Sequence, residues 1–109
     1  MAEQNHDLEA TEEEFSEEIN KPYKLVVVDF FAEWCMPCLM LAPIIAELAE
    51  KMPDVRFMKV NVDESETIAG KYDISSIPCV IIFKNGAEVD RIIGAHSAEI
   101  IEEKIKSYL

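Results

Sequence analysis

The sequence predicts an α/β domain in three layers: a central mixed, mostly parallel sheet ending in an antiparallel hairpin, with helices on both faces. Three observations carry this. Leu25-Val26-Val27-Val28-Asp29-Phe30-Phe31 is apolar at every position but Asp29, and a strand without polar alternation is covered on both faces. Leu41, Ile44, Ile45 and Leu48 then recur at helical spacing, as a helix laid on such a sheet requires. Asn85-Gly86 sits between two apolar runs, the strongest short-range signal for a two-residue hairpin.

The chain has 109 residues, half of them apolar and only three glycine. That is the size of one domain, read as 1–109, with enough apolar residues for a core. Ten basic against 22 acidic residues leave a net charge of −12. Such a surface argues against unspecific binding to nucleic acid or anionic lipid, both of which need positive charge. No apolar run reaches the roughly 18 residues of a membrane-spanning helix. Residues 1–20 hold eight acids and no Lys or Arg, the reverse of a secretory or mitochondrial leader, so a cytoplasmic chain is expected. Three cysteines cannot all pair with one another, and a chain of this size does not need disulfide staples.

In order, residues 1–10 read as a polar, frayed N-terminus. Thr11 and Glu14 form a capping box for a short helix whose inner stripe is Phe15 and Ile19, ended by Pro22. The Leu25–Phe31 strand follows. The helix from Pro37 to Met52 contains Pro43, which should kink it without ending it, because the periodicity resumes beyond. Val55 to Val62 is a second strand, linked to the first by a crossover long enough for a parallel pair. Asp63 with Glu66 is a second capping box, for a short helix with Ile68 and Tyr72. Ile77 to Phe83 is a third strand with Pro78 at its mouth, where no ladder amide is needed. Asn85-Gly86 turns it into an antiparallel strand from Glu88 to Ile93, and Gly94 breaks that strand. Ser97 caps a last helix with Ile101, Ile105 and Tyr108 inward.

Chemistry concentrates at Glu33-Trp34-Cys35-Met36-Pro37-Cys38-Leu39, with two of the three cysteines and the only tryptophan. Two thiols at this spacing are a redox pair or half of a four-ligand metal site. Cys35 falls at a strand-to-helix corner, where helix amides stabilise an anion and lower a thiol below its free pKa of about 8.5. Cys38 is one turn on, deeper, able to reach Cys35 and in need of a base. Asp29 can be that base if it points into a crevice, since burial raises a carboxylate toward neutral pH. The alternative is an Asp at a strand end in water. Pro37 occupies the first helical turn, where its missing amide costs nothing. A metal site through Cys35, Cys38 and Cys79 lacks a fourth ligand unless His96 or a second subunit supplies it, so no metal and no cofactor are assigned.

From about Phe15 onward the sequence resembles the thioredoxin family. The resemblance rests on Asp29, Phe31-Ala32-Glu33-Trp34-Cys35-Met36-Pro37-Cys38, Pro43, Lys59, Asp63, Ile77-Pro78, Asn85-Gly86 and Gly94. It implies the thioredoxin fold and a protein-disulfide reductase with Cys35 as attacking thiol and Cys38 as resolving thiol. Pro78 would be a cis proline facing them and Asp29 a buried proton-transfer carboxylate with Lys59 as its partner. Trp34, Met36, Pro37, Ile77, Gly94 and Ala95 would form the substrate surface. The partners implied are disulfide-containing proteins and a flavin-dependent or iron–sulfur thioredoxin reductase, with the chain itself a monomer. Without the resemblance Pro78 would be read as trans, the commoner isomer.

Four departures bear on potential and partners. Met36 stands where Gly is usual, Phe31 where Trp is usual, and Leu39 where a basic residue is usual. Cys79 follows Pro78 in place of Thr, either as a small apolar filler or as a third thiol that modulates the pair. In a two-electron couple about 30 mV corresponds to 1.4 kcal/mol, so small changes in thiolate stabilisation move the potential appreciably. An oxidant or isomerase of higher potential, and a binding subunit with idle cysteines, are the competing functions.

Overall fold

A computed structural model describes residues 8–22 and 25–109. The elements are α1 (Glu12–Ile19), β1 (Leu25–Phe31), α2 (Met36–Lys51), β2 (Arg56–Asn61), α3 (Glu66–Lys71), β3 (Cys79–Lys84), β4 (Ala87–Ile93) and α4 (Ala98–Lys106). Their order and number are those read from the pattern of apolar residues.

All seven residues of β1 are buried. The strand is hydrogen-bonded on both edges in a sheet of order β2-β1-β3-β4. Alternation then divides its side chains between two cores. Leu25 and Val27 meet Leu41, Ile45 and Leu48 of α2 and Ile101 and Ile105 of α4. Val26, Val28 and Phe30 meet Phe15 and Ile19 of α1 and Ile68 of α3. Phe15 is the hub of this second core, edge-to-face with Phe30, Tyr72 and Phe83 at 5.6–6.2 Å between ring centroids.

The mixed sheet is as expected, but it is not mostly parallel. Only β1–β2 runs parallel, whereas β3 is antiparallel to both β1 and β4. The connection 62–78, which holds the six-residue α3, re-enters the sheet at the end where β2 stopped, with Cys79 opposite Phe30.

Other expectations need adjusting at the ends of elements. The Thr11–Glu14 capping box forms in both directions, at 2.8 and 3.1 Å. Asp63 and Glu66 do not form one. The N-cap of α3 is Ser65, without a side-chain cap bond, and Asp63 is engaged by Trp34 instead. Helix α2 runs on through Pro43. The third strand begins at Cys79 rather than Ile77. The frayed N-terminus lies outside the described residues for 1–7. Glu9, however, bridges Lys59 in parallel, through Lys59 N–H to Leu8 O at 2.8 Å and Ala10 N–H to Lys59 O at 2.9 Å.

The Asn85-Gly86 turn has positive φ at both residues, 55° and 83°, the type I′ signature. A Cβ on Gly86 would lie 2.8 Å from Asn20 Oδ1, an amide already tied to Ser16 O at 2.7 Å. We expect Gly86→Ala to lower stability by about 1–2 kcal/mol, the cost of a left-handed non-glycine residue, as measured by urea unfolding. An unchanged midpoint would contradict this reading of the turn.

Candidate active site

The register brings four chain segments to one end of the sheet. Phe31 at the end of β1 is opposite Asn61 at the end of β2. The start of β3 lies beside Phe30 and opposite the end of β4 at Ile93. The segments 32–35, 62–65, 72–78 and 94–97 therefore meet there, and every residue read as a site residue except Asp29, Lys59 and Cys79 lies in them or in the first turn of α2.

Cys35 is the N-cap of α2 in extended backbone, and its Sγ accepts the Cys38 N–H at 3.2 Å. A sulfur in this place receives an amide that the helix itself cannot satisfy. Cys35 and Cys38 are joined as a disulfide, with Cα atoms 5.2 Å apart. Both are buried, Cys35 at 4% exposure and Cys38 at 2%, packed with Phe31 and Ala32 and flanked by Val62 and Ile77. The difference in depth has the expected sign and is small. Pro37 lies in the first turn, where its lack of an amide is tolerated.

The Ile77–Pro78 peptide bond is cis, and Ile77 O lies 3.9 Å from Cys35 Sγ. Gly94 N–H donates to Pro78 O at 2.8 Å, so the loop after β4 is tied to the proline. Gly94 has φ +94°, while a Cβ there would meet nothing closer than 3.8 Å. Glycine is required by the backbone conformation rather than by space. Ala95 is exposed in the same loop. His96 contacts Ile93 O at 2.9 Å.

Asp29 shares a face of β1 with Phe31 and Val27, beneath α2. It is completely buried, and neither carboxylate oxygen has a hydrogen-bond partner. The solvent-exposed alternative is thereby excluded. Burial pushes its pKa from 3.8 up to about 7, against the opposing charge of Lys59. Lys59 is directly opposite on β2 and buried. It makes no ion pair with Asp29; its Nζ stands 4.4 Å from the centre of the Phe31 ring, a cation–π arrangement. The aromatic ring that precedes the cysteines thus holds the ammonium near the carboxylate without neutralising it.

Two features escape the sequence reading. Trp34 is 72% exposed, yet its indole N–H donates to Asp63 Oδ2 at 2.8 Å, and Asp63 N–H donates to Asn61 Oδ1 at 2.9 Å. The two residues are 29 apart in sequence; only the aligned ends of two parallel strands hint that they meet. Cys79 is fully buried on the opposite face of the sheet from the disulfide, among Phe15, Phe30, Ile81 and Phe83. Burial pushes its thiol up, with Arg91 pulling the other way. Its surroundings fit the filler reading, and the three thiols do not converge on a common point.

The sequence profile of the thioredoxin family matches residues 6–107. The chain belongs to the thioredoxin family. It is 44% identical over 102 residues to thioredoxin of Chlorobaculum thiosulfatiphilum, covering 93% of this chain and 94% of that one. It is 47% identical over 83 residues to thioredoxin H-type 1 of Nicotiana tabacum, covering 76% and 66%. Mitochondrial thioredoxin 3 of Saccharomyces cerevisiae, in its oxidised form, superposes with a TM-score of 0.86 at 35% identity, covering 95% and 98%. The protein is a thiol–disulfide oxidoreductase, and the Cys35–Cys38 pair is its redox-active disulfide.

A carboxylate whose pKa is raised on folding stabilises the fold only while it is protonated. Folding stability should therefore fall as pH rises from about 4 to about 7 and level off above. Against the wild type, Asp29→Leu should gain about 4 kcal/mol between pH 4 and pH 8. Urea unfolding at several pH values measures it, and a pH-independent difference would mean that Asp29 is not a neutral acid in the fold.

Proposed function

We propose that the protein is a general protein-disulfide reductase in which Cys35 is the nucleophile and Cys38 the resolving thiol. The observation that carries the reading is the Cys38 amide aimed at Cys35 Sγ, which stabilises negative charge on that sulfur rather than on its partner. The reduced Cys35 thiolate attacks a substrate disulfide, forming a mixed disulfide and expelling one substrate sulfur as a thiolate that takes up a proton. Cys38 then loses its proton, with Asp29 as acceptor, and attacks Cys35 Sγ. The Cys35–Cys38 disulfide forms and the second substrate thiol leaves. Two electrons have passed to the substrate, and a thioredoxin reductase, flavin-dependent or iron–sulfur, returns them.

Asp29 suits the proton step because a carboxylate with a pKa of about 7 exchanges protons readily at neutral pH. Burial raises that basicity, and the Lys59 charge opposes it. Pro78 and Ile77 present the backbone edge beside Cys35, while Trp34, Met36, Pro37, Gly94 and Ala95 supply the surrounding contact surface. Pro78 O is already bonded to Gly94, so the free edge for an extended substrate belongs to Ile77. The working form is a monomer in the cytoplasm. Among the described residues no helix is long and apolar enough to cross a membrane.

Reduction of insulin by a dithiol donor, followed by turbidity, tests the activity. Cys35→Ser should leave only the background rate. Cys38→Ser should accumulate a mixed disulfide with the substrate, visible by mass spectrometry and released by dithiothreitol; trapping through Cys38 in Cys35→Ser would reverse the assignment. Lys59→Met removes the charge that lowers the Asp29 pKa. The midpoint of the pH–rate profile for mixed-disulfide resolution should therefore move upward, and an unmoved profile would separate Lys59 from the proton step.

A further inference from the structure

Around the disulfide the exposed surface is apolar. Trp34, Met36, Leu39 and Met40 are 55–72% exposed, on one side of the end where the four segments meet. Large side chains left uncovered together mark a docking face. What covers it is indicated by the charges at its border.

Glu33, Asp63 and Glu64 are exposed and have no ion-pair partner among the described residues. Glu33 precedes Trp34, and Asp63 holds its indole. The segments 32–35, 62–65, 72–78 and 94–97 contain no Lys or Arg at all. Four cations lie toward the opposite end of the sheet. Arg56 and Lys84 pair with the first residues of β1, and Lys51 and Lys106 share Glu102. Arg56 is matched with Glu18. The disulfide end therefore carries carboxylates that have no ion-pair partner among the described residues.

We propose that this face docks cationic disulfide-bearing polypeptide segments and discriminates against acidic ones, an inference that rests on the reductase reading and adds the substrate class. An apolar segment flanked by Lys or Arg covers Trp34, Met36, Leu39 and Met40 and sets its charges against Glu33, Asp63 and Glu64. An acidic segment meets like charge there, and the four segments themselves supply no Lys or Arg to offset it. Charge at an interface rim acts chiefly on encounter rate and is screened by salt.

The test uses the reduced full-length protein and three oxidised peptides that share one intramolecular disulfide and apolar core, flanked by Lys, Gln or Glu. Stopped-flow tryptophan fluorescence gives the second-order rate constants at low and high salt. At low salt the Lys peptide should exceed the Glu peptide by about tenfold or more, and the ratio should shrink toward one at high salt. The double variant E33K/E64K should invert the ratio, whereas E50K/E103K, the same charge change on exposed positions of α2 and α4, should keep its sign. Equal rates for the three peptides at low salt, or a ratio untouched by E33K/E64K, would overturn the proposal while leaving the reductase reading intact. No reaction with any peptide would overturn both.

Discussion

Everything in this fold is arranged around a strand with no free side. β1 has neighbours on both edges and a helix layer over both faces, so all seven of its residues are cut off from water. Six of them are apolar and gain from that burial. Asp29 does not, and both of its oxygens are left without a partner. Such a group is retained at a cost of several kcal/mol when ionised. The same desolvation gives a carboxylic acid that titrates near neutrality next to a dithiol. The penalty in folding and the usefulness in proton transfer are one physical fact.

The direction of β3 is the second constraint. Were the strand parallel to β1, as a mostly parallel sheet implies, its leading residue Pro78 would lie at the far end of the sheet, about 20 Å from where it is. Because the chain re-enters at the end where β2 stopped, β3 starts where β1 ends, and Ile77 O comes to 3.9 Å from Cys35 Sγ. The reversal also explains why the hairpin returns β4 to the same end, so that Gly94 can bond Pro78. The direction of β3 thereby decides whether there is a site at all.

Much of this was legible in the residues. The covered strand, the Thr11 cap, the hairpin turn and the Cys35 corner are local patterns, set by alternation, capping and turn geometry within a few positions. Strand directions were not, since crossover length permits a parallel pair without requiring it. Nor was the face that Cys79 takes. It adjoins Pro78 in sequence, but side chains alternate along a strand, and only the register with Phe30 reveals that its thiol is on the other face. Asp63 offers a helix-capping pattern, yet the indole of Trp34 competes for its carboxylate and holds it. The placing of Lys59 over Phe31 needs both strands in register before it can be seen at all.

By itself, then, the sequence determines the chemistry available: two thiols one helical turn apart, a carboxylate within an apolar strand, and an acidic surface. Those follow from spacing and composition, which no neighbour can alter. The tertiary structure alone decides which groups meet. It stations Lys59 at the Phe31 ring rather than in an ion pair, sends Cys79 to the far face, and collects unpaired carboxylates around the exposed tryptophan. Each of these depends on strand direction and register, which are settled by packing between segments distant in the chain.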